Sequence, residues 1–261
     1  MAVILLASAT GSPGVTTTAL GLTLAWPRAV MLLDADRDAG QSVLAGYLAG
    51  CDATGRALHH LIQPYRQGVS LRPALRANLM PLNDAASFLP GFTHPAAAAG
   101  FEPVWPSLGV EVAALDDENT DVLLDCGRVR NGLPQGLLDC AVLLLLVARS
   151  SLRSLAGVSA AMRSLRETTV PASAEVALLL VGPDHPYSAT EIGDQFEIPI
   201  AAVLPWSPDE AAVLSDGAAP LRRRGGDTLT KAFQTAARTV SDRALRRQNL
   251  LRADPLLGVT A

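Results

Sequence analysis

The most constraining feature of this chain is its N-terminal stretch, residues 2–24 (AVILLASATGSPGVTTTALGLTL). The short apolar run Ala2–Ala7 is typical of a buried strand. The loop Ser8–Gly14 follows and contains two glycines, and from Thr16 onward the spacing of the leucines suits a helix. The first turn of such a helix presents unpaired N–H groups and the positive end of the helix dipole, and both favour an anion. The stretch therefore predicts a strand–loop–helix unit that holds phosphate.

The loop departs from the usual phosphate-binding motif at one position. That motif, the P-loop, ends in Gly-Lys-Ser/Thr, whereas this chain has Gly14-Val15-Thr16. The only lysine in the sequence is Lys231, so no neighbouring lysine replaces the missing cation. Gly11 and Gly14 still permit a tight turn and a close approach of phosphate to the backbone. The alternative is that these glycines serve only a strand-to-helix turn in a fold that binds no nucleotide.

Strand and helix patterns alternate along the rest of the chain. The predicted strands cover 29–34, 78–82, 87–91, 121–126, 140–148, 175–181 and 200–204, and the predicted helices cover 40–48, 56–65, 151–167, 189–196, 209–215 and 227–251. Repeated strand–helix pairs predict an α/β fold with three layers, a mostly parallel sheet covered by helices on both faces. No repeat or linker divides the chain, so a single domain over 1–261 is expected. Ligands of such sheets bind beyond the carboxyl ends of the strands, where Gly11, Asp36 and Asp125 are expected to lie.

Composition narrows the class of protein. Hydrophobic residues make up 49% of the 261 positions, enough for one large core. No apolar run approaches the roughly 20 residues that a membrane span needs, and the N-terminus lacks the basic leader of a signal peptide. The three cysteines, Cys51, Cys126 and Cys140, are spaced for neither a disulfide framework nor a zinc site. A reduced, cytoplasmic protein is expected.

Charge is distributed unevenly along the chain. The overall formal charge is −4, yet residues 222–252 carry nine basic side chains against Asp227 and Asp242, so that segment is net positive and the remainder strongly acidic. The basic C-terminal helix and tail, about 222–261, suit contact with an anionic membrane surface or with nucleic acid. The alternative is that the helix folds back on the acidic body. Its stripe of apolar residues at helical spacing, from Leu229 to Ala244, favours packing on the sheet.

Four segments together resemble the MinD/ParA family of deviant Walker ATPases, including its CpaE/TadZ localisation branch. They are TGSPGVTTTALGL (10–22), LLDADRDAGQS (32–42), DVLLDCG (121–127) and IPIAAVLPWSPDEAAVLSDGAAP (198–220). In order, they are similar to that family's phosphate loop, its strand ending in Asp-x-Asp, its Walker B strand, and a late strand followed by proline, a short helix and glycine. The resemblance spans most of the chain and implies ATP or ADP with Mg²⁺ as the ligand.

Site residues follow from the resemblance position by position. Thr16 matches the hydroxyl that binds Mg²⁺, and Asp125 matches the Walker B acid that holds Mg²⁺ through water. Asp36 matches the aspartate that positions the attacking water, and is the catalytic candidate. The resemblance assigns nucleotide contacts to the whole loop and the first helical turn: Gly11, Ser12, Pro13, Gly14, Val15, Thr16 and Thr17.

Three departures from the family pattern bear on activity. Val15 replaces the P-loop lysine, and Thr10 replaces the signature lysine that reaches across the family's ATP dimer. The family often has an adenine-contacting asparagine after the strand matched here by residues 175–181, and Val181-Gly182-Pro183 offers none. A nearby arginine, either Arg37 or Arg128, is a candidate to supply the missing charge.

Two functions follow from this pattern. One is a nucleotide-binding or pseudo-ATPase scaffold that positions a pilus, division or partitioning assembly. The other is a slow Mg²⁺-dependent ATPase that cycles between monomer and dimer. Either implies a homodimer, protein partners, and a cytoplasmic protein able to contact the inner membrane face or DNA through its basic C-terminal region.

Several other residues are expected to be structural. Asp34, at the end of the second strand, is expected to accept hydrogen bonds from loop amides. His59 and His60 are adjacent and face different ways, so a shared metal is not expected. Trp105 and Trp206 are expected to pack at the edge of the core. The Pro- and Ala-rich segment 94–107 is expected to be an irregular surface segment with short helical turns.

Overall fold

A computed structural model describes the chain except for residues 11–13, 52–54, 116–118, 168–169, 185, 220–227 and 254–261. It contains one eight-stranded sheet in the order β3-β4-β2-β5-β1-β6-β7-β8. The strands are β1 (Val3–Ser8), β2 (Val30–Asp34), β3 (Met80–Pro81), β4 (Ala86–Leu89), β5 (Asp121–Arg128), β6 (Leu143–Arg149), β7 (Glu175–Val181) and β8 (Ile200–Leu204). Every pairing is parallel except that of the short edge strand β3 with β4.

Helices connect the strands in chain order. They are α1 (Val15–Leu24), α2 (Ser42–Ala45), α3 (Ile62–Arg66), α4 (Arg72–Ala77), α5 (Pro95–Ala99), α6 (Trp105–Ala113), α7 (Gln135–Leu138), α8 (Leu152–Glu167), α9 (Ala189–Phe196), α10 (Pro208–Ser215) and α11 (Thr228–Ala253). Short 3-10 turns cover Leu58–Leu61, Glu102–Val104 and Val129–Asn131. No helix within the described ranges is both long enough and apolar enough to traverse a lipid bilayer.

The helices cover both faces of the sheet, as predicted. One apolar core joins α1, α2 and α11 to one face, and a second joins α5, α6, α7, α8 and α9 to the other. The handedness of the crossovers explains this separation. The connection through α1 runs from β1 toward β2, whereas the connections through α8 and α9 run in the opposite direction along the sheet, and right-handed crossovers then place these helices on opposite faces.

The basic C-terminal helix α11 packs on the sheet through its apolar stripe. Leu229, Phe233 and Val240 are buried in the same core as α1, and the Phe233 ring occupies the space beside Gly21 that a side chain would fill. This close approach is possible because Gly21 has no Cβ. The stripe predicted from the sequence is therefore a core face.

Two of the basic side chains of α11 bind the body of the protein. Arg243 forms a two-pronged ion pair with Glu175 at the start of β7 (3.0 Å from Nε and 2.6 Å from Nη2). Arg247 donates to the carbonyl oxygens of Ser173 (3.0 Å) and Ala172. Arg238 and Arg246 are exposed. Helix α11 therefore packs on the body of the protein, with Arg243 and Arg247 bound to it, and its outer face exposes basic side chains.

The short helical turns predicted within residues 94–107 are present, but the prediction was wrong in placing the whole segment at the surface. Two helices, α5 and α6, occupy most of the region, and Phe101 and Trp105 are buried in the main core with Phe92. Prolines occupy the first positions of both helices, where a missing N–H costs nothing, and the His94 ring accepts a hydrogen bond from the Ala97 N–H (3.1 Å) at the start of α5. The prolines therefore start helices here rather than break them.

The helix predicted over 40–48 is also shorter than expected. Only Ser42–Ala45 is helical, and turns follow to Gly50. Gly46 lies against the backbone of Ser215 and Asp216 at the end of α10, where a Cβ would be 2.2 Å from the Ser215 carbonyl oxygen. This contact with α10 ends the helix early.

Candidate functional site

The junction between β1 and α1 has the backbone geometry of a tight strand-to-helix turn. Gly14 immediately precedes the helix with a φ of +87°, a left-handed conformation that favours glycine. Its carbonyl oxygen accepts the first helical hydrogen bond, from the Thr18 N–H (2.8 Å). Thr16 and Thr17 follow in the first turn, both half-buried. The predicted loop contacts at Gly11, Ser12 and Pro13 lie outside the described residues.

Two of the predicted site residues meet at the carboxyl edge of the sheet. Asp125, on β5, accepts a hydrogen bond from the Thr16 side chain and another from the Gly127 N–H (3.0 Å). Thr16 belongs to α1, more than a hundred residues away in the sequence. The fold therefore brings together the hydroxyl and the carboxylate that the sequence predicted as the magnesium pair.

The third predicted residue, Asp36, lies beside this pair. It follows β2, and its carboxylate packs over Gly127, where a Cβ would be 2.2 Å from the Asp36 carboxyl carbon. Its carboxylate accepts a hydrogen bond from the Asp38 N–H (2.9 Å). Asp36 also raises the pKa of Asp125, which places the two charges within interaction distance. All three predicted acidic or hydroxyl positions are thus neighbours.

Asp34 has the structural role predicted for it. It is buried at the end of β2 and accepts hydrogen bonds from the backbone N–H of Asp36 (3.1 Å) and from that of Gly91. A Cβ at Gly91 would be 2.7 Å from the Asp34 carboxyl group, so the glycine permits this contact. Asp34 therefore holds the start of the loop that carries Asp36.

Burial and mutual repulsion raise the pKa of all three carboxyl groups. Desolvation is the main cause at each. The pKa of Asp125 rises to about 6, opposed by the hydrogen bonds from Thr16 and Gly127. The pKa of Asp34 rises well above its usual range, with the Asp125 charge as the second cause, and that of Asp36 rises with the Asp38 charge contributing. Ionisation of these carboxyl groups is therefore unfavourable in the ligand-free protein, and a bound cation would favour their ionised forms.

The lysine position of the P-loop motif is apolar and enclosed. Val15 is only 7% exposed and belongs to the core shared by β1 and α11. Of the two arginines considered as replacements, Arg37 forms an ion pair with Glu102 (2.8 Å). Arg128 lies 4.0 Å from the Asp38 carboxylate and lowers the pKa of Asp36. Arg128 is therefore the arginine whose charge acts on a site carboxylate.

Thr10 makes a contact that sequence reasoning missed. Its methyl group packs against Gly157 in the middle of α8, where a Cβ would be 2.1 Å from the Thr10 Cγ2. The residue that replaces the family's signature lysine thus fixes the start of the loop to a helix of its own chain. An isolated glycine inside a strong helix pattern is the signal that marks such a close approach.

Trp206 was expected at the core edge and instead is 51% exposed, with the Arg149 guanidinium 3.7 Å from the centre of its ring. The two side chains line a mainly apolar pocket of about 740 Å³ beyond the ends of β6, β7 and β8. Trp105, by contrast, is buried in the main core. The pocket lies on the same edge of the sheet as the carboxylates.

The donor set fits a magnesium ion bound together with phosphate. Mg²⁺ takes oxygen ligands and is commonly held by one or two protein groups plus phosphates and waters. The Thr16 hydroxyl and the Asp125 carboxylate are groups of that kind. Among the described residues, which include His59 and His60, no three His, Cys, Asp or Glu side chains are grouped so that they could hold a metal. A cation here therefore needs the ligand's oxygens as well.

The sheet order and the helices on both faces give this chain the α/β fold of P-loop NTPases. Solved structures narrow the fold further. The cell-division ATPase MinD of Pyrococcus furiosus is 21% identical, covers 93% of this chain and 99% of its own, and has a TM-score of 0.71. MinD of Pyrococcus horikoshii OT3, complexed with Mg-ADP, is 19% identical with a TM-score of 0.70, over 94% and 98% of the two chains.

A ParA family ATPase of Chlorobium tepidum TLS is 17% identical, with a TM-score of 0.69, and the match covers 90% of this chain and 97% of that protein. The fold of this chain is the MinD/ParA fold, as the sequence motifs predicted. The sequence itself matches no protein-family model and no curated protein sequence.

Proposed function

We propose that this chain is a MinD/ParA-like scaffold that binds ATP or ADP with Mg²⁺ and positions a protein assembly, with nucleotide acting mainly as a conformational ligand. The observation that carries the proposal is the contact between Thr16 and Asp125 beside the left-handed Gly14, with buried Val15 at the lysine position. The parts that bind magnesium and phosphate are kept, and the part that neutralises transferred charge is absent.

Each retained residue has a binding role. The N–H groups at the start of α1 point toward the ligand and attract its phosphates. The Thr16 hydroxyl and the Asp125 carboxylate would hold the cation. Mg²⁺, when bound, neutralises phosphate charge. It would also interact favourably with the ionised forms of Asp36 and Asp125.

The missing lysine affects binding less than hydrolysis. A hydrogen bond to a charged group is worth roughly 1.5–3 kcal/mol, which corresponds to a tenfold to hundredfold change in affinity. Backbone donors and magnesium remain, so binding survives the loss of Lys at position 15. Phosphoryl transfer depends on neutralising the charge that develops in the transition state, and Val15 contributes nothing there.

The structural neighbours support a positioning role. A plasmid partition protein of Borrelia burgdorferi with the same fold was solved bound to AMPPNP, and Aquifex aeolicus MinD was solved in complex with MinC. By analogy, this chain forms a homodimer and binds partner proteins of a pilus, division or partitioning assembly. Exposed Arg238 and Arg246 on α11 supply the contact with DNA or with the inner face of the membrane.

A second candidate function is slow Mg²⁺-dependent ATP hydrolysis with cycling between monomer and dimer. Asp36 favours it, because this carboxylate lies beside Asp125 where it would orient a water molecule. Arg128 favours it as well, since its charge acts on Asp36. Replacing Asp36 by alanine separates the two functions. Loss of turnover with nucleotide binding retained supports the ATPase, whereas unchanged, negligible turnover supports the scaffold.

The binding proposal is tested by titration calorimetry with ATP and ADP, with and without Mg²⁺. We expect binding that requires Mg²⁺ and that is lost in Thr16→Val and in Asp125→Asn. Thr239→Val, which changes an exposed threonine on α11, is the matched control and should bind as the native chain does. Absence of binding even at high concentrations of ATP would contradict the nucleotide proposal. The chain would then be a scaffold that binds no nucleotide.

A further inference from the structure

A long groove separates α8 from α9 on the face of the sheet opposite α11. Its floor is apolar: Leu155 and Ile192 are buried there, and Met162 and Phe196 are half-buried above them. The groove encloses about 1,090 Å³, and Leu152 at one end is 65% exposed. Exposed leucine beside a continuous apolar floor is typical of a surface that another protein covers.

The walls of the groove differ in charge. The α9 wall carries three exposed acidic residues, Glu191, Asp194 and Glu197. Glu191 caps its own helix through Ser188, while Asp194 and Glu197 form no ion pair with other residues in the described part of the chain. On the α8 wall the charged lining residue is Arg163. The carboxylates of α9 therefore attract a ligand whose side facing α9 is basic.

We propose that this groove binds an amphipathic helix of a partner protein, with its apolar face on the floor and a basic flank along α9. The groove proposal rests on the proposed positioning function, because the groove would be the place where the positioned partner binds. The partner is identified by its chemistry: a helix with apolar residues at i, i+3 and i+7 and Lys or Arg beside them.

Shape favours a helix over an extended peptide. The lining residues of α8 run from Leu152 to Arg163, which spans about 16 Å at the helical rise of 1.5 Å per residue, or three turns of a partner helix. Both walls are helices whose backbone groups are bonded internally, so they present no sheet edge to which a strand could add. A second copy's basic helix α11 is a poor occupant, because its apolar stripe is already buried on its own sheet.

Helix α8 also lies between the groove and the phosphate loop. Thr10, at the start of that loop, contacts Gly157, which lies on a different side of α8 from the groove residues Leu152, Leu155 and Met162. The groove and Thr10 therefore lie on opposite sides of one helix.

The test uses a designed peptide rather than an unknown partner. A fluorescein-labelled helical peptide of about four turns carries leucines at i, i+3 and i+7 and lysines along one flank, and its counterpart has glutamates in place of the lysines. Binding to the full chain is followed by fluorescence anisotropy. We expect the lysine peptide to bind, and the glutamate peptide to bind at least roughly tenfold more weakly because of the α9 carboxylates.

Two variants of the protein locate the binding. Ala156→Arg adds a long, positively charged side chain at an exposed alanine that lines the groove, and Ala160→Arg adds the same side chain at an exposed alanine on α8 outside it. We expect Ala156→Arg to weaken binding of the lysine peptide roughly tenfold or more, because the new side chain both fills the groove and repels the lysines, and Ala160→Arg to leave that binding unchanged. The charge reversals Asp194→Lys and Glu197→Lys should shift preference toward the glutamate peptide.

Three results would overturn the proposal: no binding of either peptide, equal loss in Ala156→Arg and Ala160→Arg, or dimerisation that Ala156→Arg abolishes in sedimentation. The last would make a second copy the occupant. Because the titrations are run without nucleotide, they are independent of the calorimetric test. Peptide binding without nucleotide binding would support the groove proposal and contradict the nucleotide proposal. Nucleotide binding without peptide binding would support the nucleotide proposal and contradict the groove proposal.

Discussion

Asp34 and Asp125 are register partners on the adjacent parallel strands β2 and β5, and both carboxyl groups are buried. The two strands therefore place like charges side by side in a region of low polarity, and each carboxyl group has a raised pKa. Hydrogen bonds from Thr16 and from the backbone relieve the repulsion only in part. The repulsion lowers the stability of the ligand-free protein, and perturbed carboxyl groups of this kind are typical of binding sites.

Asp125→Asn is expected to stabilise the ligand-free protein at neutral pH. The folded-state pKa of Asp125 is raised from 3.8 to about 6, so folding is unpenalised below pH 3.8 and loses stability as the pH rises through 6. The full penalty is about 3 kcal/mol, or a melting temperature lower by roughly 5–10 °C. Thermal unfolding should show a clear gain for the variant at pH 7.5 and a much smaller gain at pH 4.5.

The matched control for this prediction is Asp84→Asn, which changes an exposed aspartate in a turn. Its melting temperature should follow that of the native chain at both pH values. A gain for Asp125→Asn that is the same at pH 4.5 and pH 7.5 would mean that the carboxyl group is not the source of the instability.

Local patterns were sufficient to predict the strands and the acidic residues of the site. The strands Glu175–Val181 and Ile200–Leu204 have the predicted bounds, because buried parallel strands appear as continuous apolar runs ended by Gly or Pro. Asp36 follows β2 and Asp125 lies in the second half of β5. The two come together because neighbouring parallel strands end at one edge of the sheet. The contact of Thr16 with Asp125 follows from the same geometry.

Contacts between distant segments were not predictable from such patterns. Prolines in 94–107 indicated an exposed, irregular segment, yet they begin α5 and α6, and only tertiary packing buries Phe101 and Trp105 there. The contact of Thr10 with Gly157 joins residues that are far apart in the sequence, through the pairing of β1 with β6. Hydrophobic periodicity predicts which face of a helix is buried, but not which element packs beside that helix. The groove between α8 and α9 was therefore not predicted either.

Gly157→Ala is expected to displace the start of the phosphate loop. The new Cβ would lie 2.1 Å from the Thr10 Cγ2, so the loop or the helix must move, at a cost of about 1–3 kcal/mol. Thr10→Ser removes that methyl group and should restore most of the lost stability and nucleotide affinity in the double variant. Chemical denaturation and calorimetry measure both effects.

Gly193→Ala is the matched control, since this glycine lies in α9 with 3.4 Å between the added Cβ and its nearest neighbour, the Ile200 side chain. It should be neutral or slightly stabilising. If Thr10→Ser leaves the Gly157→Ala defect unchanged, the contact between loop and helix is not its cause.

Asp121→Ala is expected to be strongly destabilising although it lies away from the site. The buried Asp121 carboxylate accepts hydrogen bonds from the Ala2 N–H (2.7 Å), from the Trp26 ring nitrogen (2.9 Å) and from Arg28. Its removal leaves buried donors and a half-buried cation without their acceptor, at a cost of about 3–5 kcal/mol. Denaturant unfolding should show that Arg28→Ala adds little further loss in the Asp121→Ala background. Full additivity of the two losses would contradict this interaction.

Val15→Lys is expected to strengthen nucleotide binding. The substitution restores the P-loop cation beside Thr16, and one charged hydrogen bond to phosphate predicts a dissociation constant for Mg-ATP that is roughly tenfold to a hundredfold lower. Stability should fall, because a lysine replaces a buried valine of the core that β1 shares with α11. Val110→Lys, which places the same charge on an exposed position of α6, should change neither property. A folded Val15→Lys protein with unchanged affinity would show that the loop is closed to phosphate for reasons other than the missing charge.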